Sequence, residues 1–137
     1  ELDDVLYEQA APFGDTVEFL GQRVDVPELL SASDVLVLPS WSEALPTVLI
    51  EAGAAYLPVV ATDVGGTREI VADGETGYII PPGDTEELAT RLVALLQDSV
   101  LAERMGRAAR QRVEQLFSLE RQAKNTIALY EEVLKST

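Results

Sequence analysis

The sequence of 137 residues contains neither cysteine nor histidine. Without cysteine, the chain can form no disulfide framework and offers no thiolate for chemistry. Without histidine, it lacks the usual general base and the commonest metal ligand. Functions that depend on a cysteine nucleophile or on a histidine base are therefore excluded.

Basic residues are also scarce, because 10 lysines and arginines face 24 aspartates and glutamates, for a net charge of −14. Residues 1–100 carry three basic and nineteen acidic side chains, whereas residues 101–137 carry seven basic and five acidic ones. A nucleic-acid surface is therefore not expected. Any anionic small ligand would have to be held by local devices such as helix N-termini, against the long-range field.

Long apolar runs are missing as well. No run approaches the roughly 20 residues that a membrane-spanning helix needs, and the sequence shows no signal peptide. The expected location is cytoplasmic. A length of 137 residues with 47% hydrophobic residues indicates one domain with a proper core.

What the sequence does contain is an alternation of short apolar runs with helical segments. The runs predict about four strands, at residues 17–20, 35–38, 58–62 and 77–80. Unbroken apolar strands separated by helices indicate a parallel sheet that is covered on both faces. We therefore predict an α/β fold, a partial Rossmann-like parallel sheet flanked by helices, with a helical C-terminal unit. Residues 1–137 would form one partial domain, with the strands and site loops in 1–83 and the C-terminal helices in 84–137.

Polar residues at the starts of helical segments predict caps. Asp25 and Thr67 are expected to cap two short helices, and Asp84 is expected to cap a longer one. Ser118 is expected to cap a last helix, whose apolar residues recur every three or four positions and mark one apolar face. Residues 1–11 resemble the tail of a helix with no cap before it, so an N-terminal truncation is expected.

The segment 39–51 carries the most informative residues. Its loop contains Glu43, and Pro46 is expected at the first position of a helix that runs to about Ala55. This helix is apolar almost all round, so its one charge, Glu51, either reaches the surface near the helix end or lines a cleft. Glu43 is either a solvated loop acid or part of a site. Ligands of open parallel sheets bind beyond the carboxyl ends of the strands, where free N–H groups of this helix could hold a phosphate.

Other residues have two interpretations each. Gly65-Gly66 is either a turn or part of the site, and Trp41 either packs in the core or forms a platform for a ring. Four arginines near the C-terminus are interpreted as a solvated helix face rather than a phosphate clamp: Arg104, Arg107, Arg110 and Arg112. Residue chemistry alone supports a site for an anionic or polyhydroxyl ligand.

A set of motifs in a fixed order sharpens this interpretation. The first group comprises Val17-Glu18-Phe19-Leu20-Gly21, Val26-Pro27-Glu28-Leu29-Leu30, Ser33-Asp34-Val35, Leu38-Pro39-Ser40, Glu43-Ala44-Leu45-Pro46 and Glu51-Ala52. The second group comprises Pro58-Val59-Val60-Ala61-Thr62, Gly65-Gly66, Glu69, Asp73-Gly74, Thr76-Gly77 and Pro81-Pro82-Gly83-Asp84. Over about residues 16–130, the ordered set resembles the C-terminal domain of family 4 glycosyltransferases.

The resemblance implies an enzyme of GT-B architecture, with two Rossmann-like domains and the active site between them. Such enzymes transfer a sugar from a nucleotide-sugar donor with retention at the anomeric carbon, and no metal or other cofactor is expected. The C-terminal domain mainly binds the donor, and the segment from Leu119 onward would return toward the other domain. For a full-length enzyme of this kind, the inner face of the membrane is an alternative location.

The resemblance also implies roles for individual residues. Glu43 is predicted as the catalytic residue, in contact with the donor sugar's hydroxyls, and Glu51 would bind the ribose hydroxyls. An ionised carboxylate only accepts hydrogen bonds, so each can hold two vicinal hydroxyls. The backbone facing the sugar and diphosphate would come from Ala44, Leu45 and Thr47. The segment beside the base would be Gly21, Gln22 and Arg23.

Three positions depart from the family pattern. Ala44 stands where the family usually has glycine, and its methyl would narrow the pocket or be tolerated at a negative φ. Tyr56 also takes the place of a common glycine, at a helix end where φ is often positive, so either a small strain or a different cap is expected there. Gly53 lies inside a helix where larger apolar residues are common, at a cost of about 1 kcal/mol relative to alanine.

Other parts of the family pattern are absent from this sequence. They are the basic pair that clamps the diphosphate, the first two strands of this domain and the whole N-terminal acceptor domain. Either the chain is part of a longer protein, or it pairs differently, for example as a strand-exchanged homodimer. We expect this chain alone to have no transferase activity.

Two other functional classes are alternatives to a transferase. The first is a non-catalytic nucleotide-sugar binding or interaction module that works with a partner chain. The second is a receiver-type signalling domain, which needs paired acids after its first strand, an aspartate ending a central strand and a later lysine. The strands at 35–38 and 58–62 end in Pro39-Ser40 and Asp63, and the first lysine is Lys124, which disfavours a receiver.

Overall fold

The computed structural model describes residues 2–135. Glu1, in the predicted helix tail at 1–11, and residues 136–137, at the end of the predicted C-terminal unit, lie outside the described residues. In chain order the elements are α1 (Leu2–Ala10), a 3₁₀ segment (Ala11–Thr16), α2 (Val26–Ser31), β1 (Leu36–Leu38), α3 (Thr47–Ala54), β2 (Val59–Thr62), α4 (Thr67–Ile70), β3 (Gly77–Ile80), α5 (Thr85–Gln97), α6 (Ser99–Phe117) and α7 (Leu119–Lys135).

The sheet of the described chain has three parallel strands in the order β1-β2-β3. Its central strand β2 is buried at every position. Val59 and Ala61 belong to one hydrophobic core, with Leu49, whereas Val60 belongs to a second core, with Met105. Successive strand residues point to opposite faces, so the two cores lie on opposite faces of the sheet. The predicted α/β class with a covered parallel sheet is confirmed.

The predicted strand at 17–20 is wrong. The segment has no regular secondary structure, and Val17, Phe19 and Leu20 are all exposed. Its apolar pattern is satisfied locally instead, because the Phe19 ring packs 4.3 Å from the ring of Tyr7, between centroids. A strand forms only where a neighbouring strand shares its hydrogen bonds. Among residues 2–135, none pairs with this segment.

Glycines bring α6 close to α3. A Cβ added to Gly53 would lie 2.6 Å from Cγ2 of Val113, and one added to Gly106 would overlap the carbonyl oxygen of Tyr56. Gly53 is therefore explained by helix packing, which offsets its low helix propensity. Tyr56, just after α3, has a φ of 61°, so the structure shows the strained backbone, the first of the two alternatives.

Two of the predicted caps are present and two are not. Asp84 and Ser118 each accept a hydrogen bond from the backbone amide three residues later, at 3.0 and 3.3 Å. The Asp25 carboxylate caps nothing, because both its oxygens bind Arg23. Thr67 is the first residue of α4 rather than its cap, and its hydroxyl donates to the turn before the helix.

The arginines of α6 have two different roles. Arg104 and Arg107 are exposed, as predicted. The prediction is wrong for the other two, since Arg110 donates to the carbonyl of Ala54, the last residue of α3, and Arg112 donates to the last two carbonyls of α4. Helix C-termini carry unpaired carbonyls and a partial negative charge, which a guanidinium satisfies.

The last helix, α7, has the predicted apolar face. Its large apolar side chains are all exposed in the described chain: Leu119, Ile127, Leu129, Tyr130, Val133 and Leu134. In the part of the chain that the structure describes, no helix has the length and apolar character to cross a membrane.

Candidate functional site

The carboxyl ends of the three strands meet at one edge of the sheet, as parallel strands require. β1 continues into the loop 39–46, β2 into the turn 63–66, and β3 into the turn 81–84. The loop after β1 is the longest of these three, and it contacts the other two. We call residues 39–46 the site loop.

A buried hydroxyl at the end of β2 holds the start of the site loop. Oγ1 of Thr62 donates to the carbonyl of Ser40 at 2.6 Å and lies 3.3 Å from the carbonyl of Leu38. Ser40 in turn donates its own hydroxyl to Oε1 of Glu43 at 2.7 Å. Two hydrogen bonds therefore connect the central strand to the Glu43 carboxylate through one serine.

Two glycines after β2 hold the middle of the site loop. The amide of Gly66 donates to the carbonyl of Ala44 at 2.7 Å. Gly65 has a φ of +50°, and a Cβ there would overlap the carbonyl oxygen of Glu43. A side chain at position 65 would push the loop away. Gly65-Gly66 is therefore a turn that also fits the backbone of the site loop.

Trp41 reaches the third strand end. The residue is 77% exposed, which excludes the core-packing interpretation. The six-membered part of the ring packs on Gly83, where an added Cβ would lie 2.6 Å from Cη2 of Trp41. A cavity of about 150 Å³ lies beside it, lined also by Thr62 and Ile80. The site loop is thus held at all three strand ends.

Helix α3 begins directly after the site loop. Pro46 is its N-cap, with an extended backbone (φ −74°, ψ 91°), so the predicted first helical position is wrong by one residue. The cap side chain makes no hydrogen bond to the helix. Among residues 2–135, the amides of Thr47 and Val48 donate to no backbone or side-chain acceptor. These N–H groups, with the positive end of the helix dipole, form a local device for binding an anion.

The two glutamates of this region have different surroundings. Glu43 is half-buried and bound by Ser40, whereas Glu51 is exposed on α3. Among the described residues, the Glu51 carboxylate has no hydrogen-bond or ion-pair partner. Helix α3 packs through Leu49, Ala52 and Gly53, and it leaves Glu51 exposed. Both carboxylates keep acceptor positions free for hydroxyl donors.

The segment predicted to lie beside a base is separate from these contacts. Gly21 has a φ of 61° and is exposed with Gln22 and Arg23. The Arg23 guanidinium binds both oxygens of Asp25, at 2.8 and 2.6 Å, which raises the pKa of Arg23 and lowers the pKa of Asp25. No hydrogen bond in residues 2–135 joins this segment to Glu43 or Glu51. Its predicted role stays a prediction.

An ion pair at the edge of the site was not anticipated from the sequence. Arg68 on α4 binds both oxygens of Asp63 at 2.7 Å. These hydrogen bonds lower the pKa of the Asp63 carboxyl and raise that of Arg68. Within the described range, no group of three or more carboxylates is placed to hold a metal ion.

Thr62, Ser40 and Gly83 were also missed as parts of the site. A threonine that ends an otherwise apolar buried strand is the one available signal for Thr62, since a buried hydroxyl needs a partner. Ser40 and Gly83 occur inside motifs, but their spacing carries no information on what they contact.

The chain is similar to known proteins over most of its length. It matches the family described as Glycosyl transferases group 1 over residues 6–112. It is 39% identical over 121 residues to the N-acetyl-alpha-D-glucosaminyl L-malate synthase of Bacillus anthracis, a match that covers 88% of this chain and 32% of that protein.

Solved structures superpose on nearly the whole of this chain. Sucrose-phosphate synthase from Thermosynechococcus elongatus superposes with a TM-score of 0.87 at 34% identity, covering 98% of this chain and 34% of that one. The Anabaena protein HepE, solved in complex with UDP, superposes with a TM-score of 0.86 at 31% identity, covering 98% and 36%. The same Anabaena protein is also known in complex with UDP-glucose.

The chain thus spans about a third of the length of the proteins it matches. The matched residues include the three strands, the site loop, α3 and the glycine turn. The resemblance predicted from the ordered motifs is confirmed. This chain belongs to the glycosyl transferases group 1 family.

Proposed function

We propose that the chain forms the donor-binding part of a retaining glycosyltransferase, which transfers a sugar from a nucleotide-sugar to an acceptor. The observation that carries the proposal is the arrangement of the site loop. Contacts to all three strand ends hold this loop directly in front of the free amides of α3. The loop therefore offers a carboxylate that can accept hydrogen bonds from hydroxyls. Beside it, the start of the helix offers amides that can donate hydrogen bonds to an anion.

In this proposal, Glu43 contacts the hydroxyls of the donor sugar and acts as the catalytic residue. One of its oxygens accepts from Ser40, which orients the carboxylate and leaves the rest of its acceptor capacity available. Glu51 is exposed one helix turn beyond the start of α3, where it can accept from the two ribose hydroxyls. Hydrogen bonds to an ionised acceptor are stronger than neutral ones.

The diphosphate would be bound by a separate set of groups, which belong to the backbone. The free amides of Thr47 and Val48, with the backbone of Ala44 and Leu45, would face the phosphates. Negative charge builds up on the leaving diphosphate in the transition state, and aligned amides at a helix start stabilise it without reorganising. Such local donors are needed because residues 1–100 are strongly acidic overall.

Two lines of observation support a nucleotide-sugar as the ligand. The family is one of glycosyltransferases, and a neighbour with a TM-score of 0.86 has been solved with UDP. Retention at the anomeric carbon, the absence of a metal requirement and the contact of residues 21–23 with the base rest on the resemblance, and they belong to this proposal.

Binding should be measured on this chain by calorimetric titration with UDP-glucose. Replacing Glu51 with glutamine removes the charge and should weaken binding about tenfold, which corresponds to ~1.4 kcal/mol. Glu75→Gln is the matched control, because Glu75 is also exposed and lies in a turn away from the site. Equal affinity of the Glu51→Gln variant and the wild-type chain would contradict the assigned contact.

A turnover assay distinguishes the transferase from the alternative of a non-catalytic binding module. We expect this chain alone to bind donor without transferring sugar, because the basic pair and the acceptor domain of the family pattern are absent from it. Adding the missing domains should restore transfer, and the product's anomeric configuration, read by NMR, should match the donor's. Binding without transfer in the completed protein would favour the module, and an inverted product would refute retention.

A further inference from the structure

We propose that Trp41 is a positioning residue that sets the orientation of Glu43 by packing on Gly83. The inference rests on the proposed function, since it concerns how the donor sugar is held. Trp41 lies between Ser40, which binds the Glu43 carboxylate, and Glu43 itself. The backbone conformation at Trp41 therefore affects where Glu43 lies relative to Ser40.

On its β2 side, the site loop is held through its own backbone carbonyls. On its β3 side, it is held by the ring of Trp41. Thr62 binds the carbonyl of Ser40, and Gly65-Gly66 fits against the carbonyls of Glu43 and Ala44. On the other side, the Trp41 indole packs on Gly83 in the turn after β3. Without the indole contact, the segment 41–43 could rotate about its remaining supports.

Gly83 makes this contact possible. Its φ is +80°, and a Cβ would lie 2.6 Å from Cη2 and 3.3 Å from Cζ3 of Trp41. Any side chain at position 83 would displace the indole. The glycine is therefore required both by its backbone conformation and by the closeness of the ring.

The contact contributes little to the folded state as a whole. Trp41 is 77% exposed, and a cavity of about 150 Å³ lies beside it, so removal of its indole leaves no sealed void in the core. Surface substitutions of this kind usually change stability by no more than about 0.5 kcal/mol. A positioning role can therefore be separated from a structural one, because only the former changes donor binding.

The first test is made without ligand. Trp41 is the only tryptophan in the chain, so tryptophan fluorescence reports on this indole alone. Gly83→Ala should shift the emission of Trp41, whereas Gly74→Ala should not, since Gly74 has a similar φ of +76° with nothing within 4 Å of an added Cβ. In Trp41→Ala, the backbone NMR order parameters of residues 42–45 should fall, and those of β2 should stay unchanged. Unchanged order parameters in 42–45 would overturn the proposal.

The second test uses UDP and UDP-glucose as paired probes. Trp41→Ala should weaken UDP-glucose binding about five- to tenfold and UDP binding less than about twofold, because only the sugar is held by Glu43. Tyr130→Ala removes another exposed aromatic ring, on α7, and should leave both affinities unchanged. Equal losses for the two ligands would overturn the assignment.

A double-mutant cycle then tests the route through Glu43. If Trp41 acts through that carboxylate, the Trp41→Ala, Glu43→Gln double variant should bind UDP-glucose no more weakly than Glu43→Gln alone. Additive losses would overturn the proposal. Failure of the wild-type chain to bind either ligand would overturn the proposed function and this inference together. Normal wild-type binding that Trp41→Ala leaves intact would overturn this inference alone.

Discussion

Gly65 lies against the carbonyl group of Glu43 so closely that no other residue fits at position 65. Its φ of +50° is also one that side chains rarely adopt. The residue that the family resemblance marks as catalytic is therefore held in place by the backbone of a turn 22 positions later, at the end of the neighbouring strand.

Gly65→Ala should weaken UDP-glucose binding and destabilise the fold. The positive φ costs of order 1–3 kcal/mol for a residue with a side chain, and the overlap with Glu43 adds a displacement of the site loop. Gly74→Ala is the control, because it carries the same backbone strain with open space around the new methyl. Urea unfolding should show a loss for both variants, and titration a loss of affinity for Gly65→Ala only. Unimpaired binding in Gly65→Ala would show that the loop tolerates displacement.

Thr62→Val should disturb the same loop from the strand. Valine keeps the shape of the buried side chain but leaves the carbonyl of Ser40 without its donor, at a cost of about 1–3 kcal/mol. Thr76→Val removes another buried hydroxyl, which bonds the backbone of Ala72 before the start of β3, away from the site loop. Both variants should lower the free energy of unfolding, but only Thr62→Val should weaken UDP-glucose binding. Equal binding in the two would contradict a role for the Thr62 hydroxyl at the site.

The strands that sequence alone predicted well are those that pair with one another in the sheet. The run 58–61 is apolar without interruption, which in so short a segment is typical of a strand covered on both faces. The segment 17–20 has a similar composition but no neighbouring strand among the described residues, and its pattern contains no information on pairing. Local composition therefore predicted the strands that have a neighbouring strand in the described chain. It failed for 17–20, which has none there.

The sequence predicted which motifs belong to the site, but it did not predict the contacts that hold them. Glu43, Pro46 and Glu51 stand out by chemistry, because a charge in an apolar segment needs an explanation. The contacts that hold Glu43 join residues 22 positions apart, such as Ser40 with Thr62, and sequence spacing does not encode them. Likewise, only the structure shows that Glu51 points to the surface while its neighbours are buried.

Acid should remove the contribution of the Asp63–Arg68 ion pair. Hydrogen bonds from Arg68 lower the pKa of Asp63 in the folded chain. A lowered folded pKa contributes stability above the unfolded value of about 3.9, and this contribution is lost as the pH falls through the folded value. Wild-type chain should therefore be more stable than Asp63→Asn at pH 7, and the difference should shrink as the pH falls below about 3.9. Because the pair is exposed, added salt should shrink the difference at pH 7. A difference that grows in acid would contradict this sign.

Arg112→Ala should destabilise the chain by about 1.5–3 kcal/mol, the range for hydrogen bonds made by a charged donor. Its guanidinium donates to the last two carbonyls of α4, at 2.7 and 2.8 Å, and this joins α6 to the short helix that follows the glycine turn. Arg107→Ala is the control, because Arg107 lies on the same helix but pairs only with exposed Glu103. That change should stay within about 0.5 kcal/mol, as for other surface ion pairs. Urea unfolding measures the loss of unfolding free energy in each variant, and so compares a helix-capping arginine with a solvated one. Equal losses would show that the hydrogen bonds to α4 contribute no more than a surface ion pair.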